Sequence, residues 1–133
     1  MERVVAIGLK IPDNTAYTAF ATLRRLGIAV ERVERCDILR FVDVDGESDE
    51  ALRQRVERDE TLFNPNKHRL AILKSGSPRP GEVWIETLGE RPEAVRRYVG
   101  WRLFKGNEAF PRETLVAAVE ALLCNPAIER AIY

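Results

Sequence analysis

The chain has one histidine, two cysteines and no excess of either charge. Lys plus Arg and Asp plus Glu both number 21, so no global field draws the chain to nucleic acid or an anionic membrane, and nucleic acid is not expected as its partner. Cys36 and Cys124 lie far apart, neither belongs to a Cys-x-x-Cys pair, and no signal-like apolar segment follows Met1. Reduced thiols in a cytoplasmic protein are therefore expected. No window approaches the run of about 20 apolar residues that spans a bilayer, which excludes a membrane helix. A Gly-rich phosphate loop, metal-ligand spacing and Gly-x-Ser-x-Gly are all missing, so no cofactor, no metal and no catalytic residue is expected.

What remains is ordinary globular material. At 133 residues, 45% hydrophobic and 32% charged, the chain suffices for one domain or two very small ones sharing a core, with roughly two-thirds of its extended surface buried. The most informative stretch is Leu62-Phe63-Asn64-Pro65, which returns as Leu123-Cys124-Asn125-Pro126. Asn tolerates the left-handed conformation that ends helices and Pro cannot continue one, so each copy reads as a helix stop and turn. A stop signal placed twice suggests two copies of one unit.

Taken in order, Arg3 to Ile11 alternates Val5, Ile7, Leu9 and Ile11 on one face, a strand. Asp13 or Asn14 can cap a helix carrying Tyr17, Phe20, Leu23 and Leu26, and Gly27 ends it. Val30 to Val44 exceeds one typical strand and changes phase near Cys36-Asp37, which predicts two strands meeting at a bend. Ser48 or Asp49 can cap a thinly apolar helix with Leu52, Val56, Asp59 or Glu60 and Phe63 along one side, and Arg69 to Leu73 makes a further strand. Residues 1–74 thus spell β-α-β-β-α-β, the ferredoxin-like order, with helices on one sheet face and the other face bare and in need of cover. Residues 75–81, rich in Gly, Pro and Ser, are the linker. Beyond it, Glu82 to Leu88 reads as a strand, and Ala94 to Leu103 as two extended segments bending at Gly100, although Pro92 could instead open a short helix. From Pro111 runs a helix with Leu115, Val119 and Leu122, Val116 and Leu123 beside them, after which Ile128 to Tyr133 can close the sheet. Residues 82–133 would be a second, abbreviated unit. The expected class is α+β, two ferredoxin-like units in tandem with their antiparallel sheets packed together.

Candidate site residues are few. His68 lies between Lys67 and Arg69, and local sequence names no carboxylate or nucleophile for it, so a turn histidine is the plainer reading, with Lys67-His68-Arg69 as a partner or anion contact the alternative. Cys36 would be reactive if Arg35 lowered its pKa, but a small residue at a strand bend explains it as well. Cys124 belongs with the core. Arg96, Arg97, Tyr98, Trp101, Arg102 and Lys105 mix cations with aromatics, which suits a protein interface or an anion contact. On a strand, Arg96 and Tyr98 share one face and Arg97, Val99 and Trp101 the other. Asn64, Pro65, Asn125 and Pro126 are structural turn residues. The acidic pairs Asp43/Asp45 and Glu47/Asp49/Glu50 read as strand-edge and first-turn charges.

In this order of elements the chain resembles PurS, the small subunit of bacterial phosphoribosylformylglycinamidine synthase. The likeness is carried by Leu26-Gly27 at the end of the first helix, Val30 to Val33 stepping into the paired strands, Asn64-Pro65, and Leu122-Leu123-Cys124-Asn125-Pro126-Ala127-Ile128-Glu129. The family's Gly-Lys pair at the strand bend is replaced by Cys36-Asp37 and Gly100-Trp101. The resemblance implies a non-catalytic adaptor, without activity alone, that bridges the glutaminase and synthetase subunits of the purine pathway enzyme and associates as a homo-oligomer through its sheets. It also matches the fused tandem of such units found in the large single-chain enzyme. The rival expectation is a small-molecule-binding regulatory module built on paired ferredoxin-like units.

Overall fold

The computed structural model describes residues 2–42, 46–89 and 95–133; Asp43, Asp45, Pro92 and Ala94 lie outside them. Among the described residues seven strands and three helices follow in the order β1 (Arg3–Leu9), α1 (Asn14–Arg25), β2 (Arg32–Phe41), α2 (Asp49–Arg58), β3 (His68–Ile72), β4 (Glu82–Thr87), β5 (Val95–Lys105), β6 (Glu108–Ala109), α3 (Arg112–Ala118) and β7 (Glu129–Ile132). A π-helical turn, Val119–Leu123, extends α3.

The helix ends follow local chemistry. Asp13 Oδ1 accepts from the Ala16 N–H at 3.0 Å and starts α1. At its other end the Ile28 N–H reaches the Leu23 carbonyl and the Gly27 N–H that of Arg24, both at 3.0 Å, a Schellman closure that Gly27 permits with φ 88°. Ser48 Oγ caps α2 through the Ala51 N–H at 3.1 Å. That helix stops at Arg58, ahead of Asn64, because Asp59 turns its carboxylate onto the Thr61 N–H and hydroxyl and so favours a local turn over another helical residue.

The buried faces differ from the spacing read in the sequence. In α1 the inward stripe is Ala16, Ala19 and Leu23, while Tyr17 and Leu26 are exposed. In the third helix Leu115, Ala118, Val119 and Leu123 face in and Leu122 faces out. The π turn is the reason: the Cys124 N–H bonds to the Val119 carbonyl at 3.1 Å, and the extra residue per turn advances the phase so that Leu123 replaces Leu122.

All strands join one antiparallel sheet in the order β3-β1-β2-β5-β4-β7, with β6 paired to β5. The expected pair of sheets packed face to face is not what forms. Instead the front strands β1 to β3 and the back strands meet edge to edge through β2 and β5, aligned from Arg32 opposite Phe104 to Phe41 opposite Val95. The two expected bends are likewise absent, since β2 and β5 are each one unbroken strand where two were anticipated. Gly100 serves packing rather than bending: a Cβ there would lie 2.9 Å from Ile38 Cγ1 and 3.1 Å from Cys36 Sγ, both leaning across from β2.

Every helix covers the same face. Alternation puts Val5, Ile7, Leu39 and Phe41 under Leu52 and Val56 of α2, and Val83, Ile85, Trp101 and Leu103 under α1 and α3. On the opposite, helix-free face lies a smaller cluster of Val4, Ala6, Ile38, Trp84 and Tyr98. Residues 73–81 must travel from edge strand β3 to β4, and they do so across this face. The Leu73 N–H bonds to the Val4 carbonyl at 2.9 Å, Arg40 Nη2 donates to the Gly76 carbonyl at 2.9 Å, and Arg79 reaches Glu82. The Arg40 guanidinium meanwhile lies over the Trp84 and Tyr98 rings.

Candidate functional site

The helix-free face carries the charge pattern that matters. Register across β2, β5 and β4 sets Glu34 opposite Arg102 and Arg102 opposite Glu82. One pleat further on, Gly8, Cys36 and Gly100 stand side by side, with Arg69 of β3 beyond Gly8. Small residues in one row and long arginines around it leave a hollow. A cleft of about 360 Å3 opens there, bounded by Gly8, Cys36, Arg69, Arg79 and Arg102. It continues past the end of β1 toward Asp13 and Arg35, because β2 outruns β1 beyond the Gly8–Cys36 pair.

Glu82, 2% exposed, is held by a bidentate pair with Arg79: Nη2 to Oε2 at 2.7 Å and Nε to Oε1 at 3.1 Å, with the Arg79 N–H adding a bond at 2.9 Å. Burial opposes the Arg79 charge, but the Glu82 carboxylate outweighs it and holds the guanidinium above its ordinary range. Arg69 donates to the Leu9 carbonyl at 3.3 Å. The Arg102 guanidinium lies over the Phe104 ring, and among the described residues its buried Nε has no hydrogen-bond partner.

On the cleft floor, burial pushes the Cys36 thiol up to about 12, and the Glu82 carboxylate adds to the effect. Arg35, the residue that would have activated it, points to the other side of the sheet and pairs with Asp13 at 3.1 Å. Cys36 is thus held as the neutral thiol, which is a poor nucleophile at neutral pH. Among the described residues no group of three His, Cys, Asp or Glu side chains gathers as a metal site, and no helix is long and apolar enough to cross a membrane.

The cation and aromatic run predicted on β5 is divided by the sheet. Tyr98 is buried on the helix-free face against Trp84, ring centroids 5.6 Å apart, with exposed Arg96 on the same side. Trp101 sits in the helix-side core at 9% exposure, and Arg97 projects to that side. There Arg97 helps the Thr61 hydroxyl and N–H, the larger causes, to hold the Asp59 carboxyl below its usual range. Lys105 is exposed near the far end of β5. Of the predicted cluster only Arg102 reaches the cleft. The sequence offers Arg69 only as part of the Lys67-His68-Arg69 turn, and Arg79, Glu34 and Glu82 were missed, because apart from the local Arg79–Glu82 pair these residues come from separate segments that the sheet brings together.

The remaining candidates are built into matching turns. Asn64 Oδ1 accepts from the Asn66 N–H at 2.9 Å, its carbonyl from the N–H groups of Lys67 and His68, and its own N–H donates to His68 Nδ1 at 2.9 Å. Asn125 Oδ1 likewise accepts from the Ala127 N–H at 3.1 Å, its carbonyl from Ile128 and Glu129, and its N–H donates to Glu129 Oε1 at 2.8 Å. His68 therefore carries its proton on Nε2 and closes a turn, away from the cleft. Pro65 and Pro126 follow each asparagine where no further helical N–H is needed. Compared with known proteins, the chain matches no family model, and no curated protein matches it.

Proposed function

We propose that the chain is a PurS-like, non-catalytic adaptor made of two ferredoxin-like units, residues 1–74 and 82–133, linked by 75–81, with the second unit shortened. The observation that carries this reading is the pair of asparagine turns, in which the asparagine's Oδ1, carbonyl and N–H make the same set of hydrogen bonds while the residue that closes the turn differs. The strand order supports it too. β1 lies between β3 and β2 as β4 lies between β7 and β5, and the long β2 and β5 each stand where two shorter strands were expected. In this reading the protein acts in the cytoplasm as a homo-oligomer and bridges the glutaminase and synthetase subunits of phosphoribosylformylglycinamidine synthase. Co-purification of the tagged chain with both subunits is the test: retention of each is expected, and recovery of neither ends the bridging role.

A second reading, a small-molecule-binding regulatory module, is favoured by one observation, the arginine-bounded cleft over Gly8 and Cys36. A thermal-shift screen of amino acids and nucleotides separates the two. Stabilisation by one metabolite supports the module, and a flat response supports the adaptor.

A further inference from the structure

We propose that the cleft over Gly8 and Cys36 is a binding site for a small dianion, a phosphate monoester or a dicarboxylate, held by Arg102 and Arg69 with Arg79 at its rim. The inference rests on the second reading above and gives it a ligand chemistry.

Three observations converge. The first is charge. Arg79 is neutralised by Glu82, but neither Arg69 nor Arg102 has a carboxylate within ion-pair distance among the described residues. Glu34 is the one cleft-lining carboxylate likewise unpaired, so the hollow keeps an excess of positive charge.

The second is an unmet donor. A buried N–H without an acceptor has lost its hydration without compensation, and among the described residues the Nε of cleft-lining Arg102 is such a group. The Arg102 guanidinium lies over Phe104 with its Nε sealed from solvent, so a turn of the side chain would present Nε and a terminal nitrogen together to an arriving oxyanion.

The third is space and the charge of the floor. Ala6, Gly8 and Ala71 line the bottom with little side-chain volume, which lets a ligand approach the sheet closely. Cys36, held protonated by its burial, puts no negative charge beneath the ligand. The carboxylate that would most repel an anion, Glu82, spends its charge on Arg79.

The test is isothermal titration of the whole chain at constant ionic strength, with inorganic phosphate, ribose 5-phosphate and succinate as anionic probes and ribose as the neutral control. Saturable binding of at least one anion is expected, weakened at least tenfold in Arg102→Gln and in Arg69→Gln and unchanged in Arg25→Gln, an exposed site on α1. Arg69 is exposed, so its variant keeps the test open if Arg102→Gln does not fold. Phosphate monoester against succinate decides which dianion is preferred. Anion binding that both cleft variants leave intact overturns the site. Equal binding of ribose overturns the anion chemistry but leaves the small-molecule reading standing, whereas silence from every probe together with a flat metabolite screen removes both.

Discussion

The front strands own two helices and the back strands own one, yet both are fully covered on the helix side. Among the described residues the back half has α3 alone, and α1 adds cover there: its Ala19 and Leu23 pack with Val83, Ile85, Trp101 and Leu103 as well as with Leu115 and Val119. α2 alone serves Val5, Ile7, Leu39 and Phe41. The difference teaches that the back half borrows its cover. Its missing helix is tolerable because the β2–β5 pairing brings α1 within reach, and the two halves therefore fold as one cooperative body.

The largest effect expected from breaking this arrangement comes at Leu23, which is wholly buried. Leu23→Ala should remove about 3 kcal/mol, read as a lower midpoint in urea unfolding that stays a single transition. Two separated transitions would mean that the halves do not share a core. Next is Arg79→Ala, which strands a buried carboxylate. Arg79 keeps 30% of its side chain exposed, so the loss should be about 2 kcal/mol, below that for a wholly buried pair. Adding Glu82→Gln should restore part of it, and a double variant no better than the single one would contradict the pairing. Gly100→Ala forces a methyl group against Ile38 and Cys36 and should cost about 1 to 2 kcal/mol, read as a lower urea midpoint.

Because His68 and Glu129 perform the same hydrogen bond, His68→Glu and Glu129→His should be near neutral, while His68→Ala and Glu129→Ala should each lose about 1 kcal/mol. Equal losses from the swaps and the alanines would deny the equivalence. The last prediction concerns pH rather than contacts. In a Cys124→Ser background, iodoacetamide should label native Cys36 slowly at every pH up to about 12, while the urea-unfolded chain reacts near the ordinary value of 9.0. Since the unfolded thiol gives up its proton first, this group also withdraws stability as pH climbs between those two values.

Much of the fold is legible in local chemistry. Asp13, Gly27 and Ser48 mark helix ends that formed where their side chains or backbone freedom predict, and the strands over Arg3–Leu9, Glu82–Thr87 and Glu129–Ile132 follow from apolar runs between turn residues. Phase was less accessible. Leu122 and Leu123 cannot be told apart by spacing when a π turn intervenes, and Gly100 looks like a bend until Ile38 and Cys36 are seen above it. Of the cleft, the sequence named Arg102 and weighed Cys36, but nothing local ties either to Arg69 or Arg79.

Short-range forces, and so the sequence alone, account for the caps, the two asparagine turns, and which runs are strands or helices. Tertiary structure alone decided that β2 would find β5 and merge the strands into one sheet, that α1 would shelter the back half, and that residues 73–81 would cross the helix-free face. Those outcomes depend on edge hydrogen bonds and apolar area shared between segments far apart in the chain. No local pattern encodes them, because each segment's partner is specified only once the others are in place.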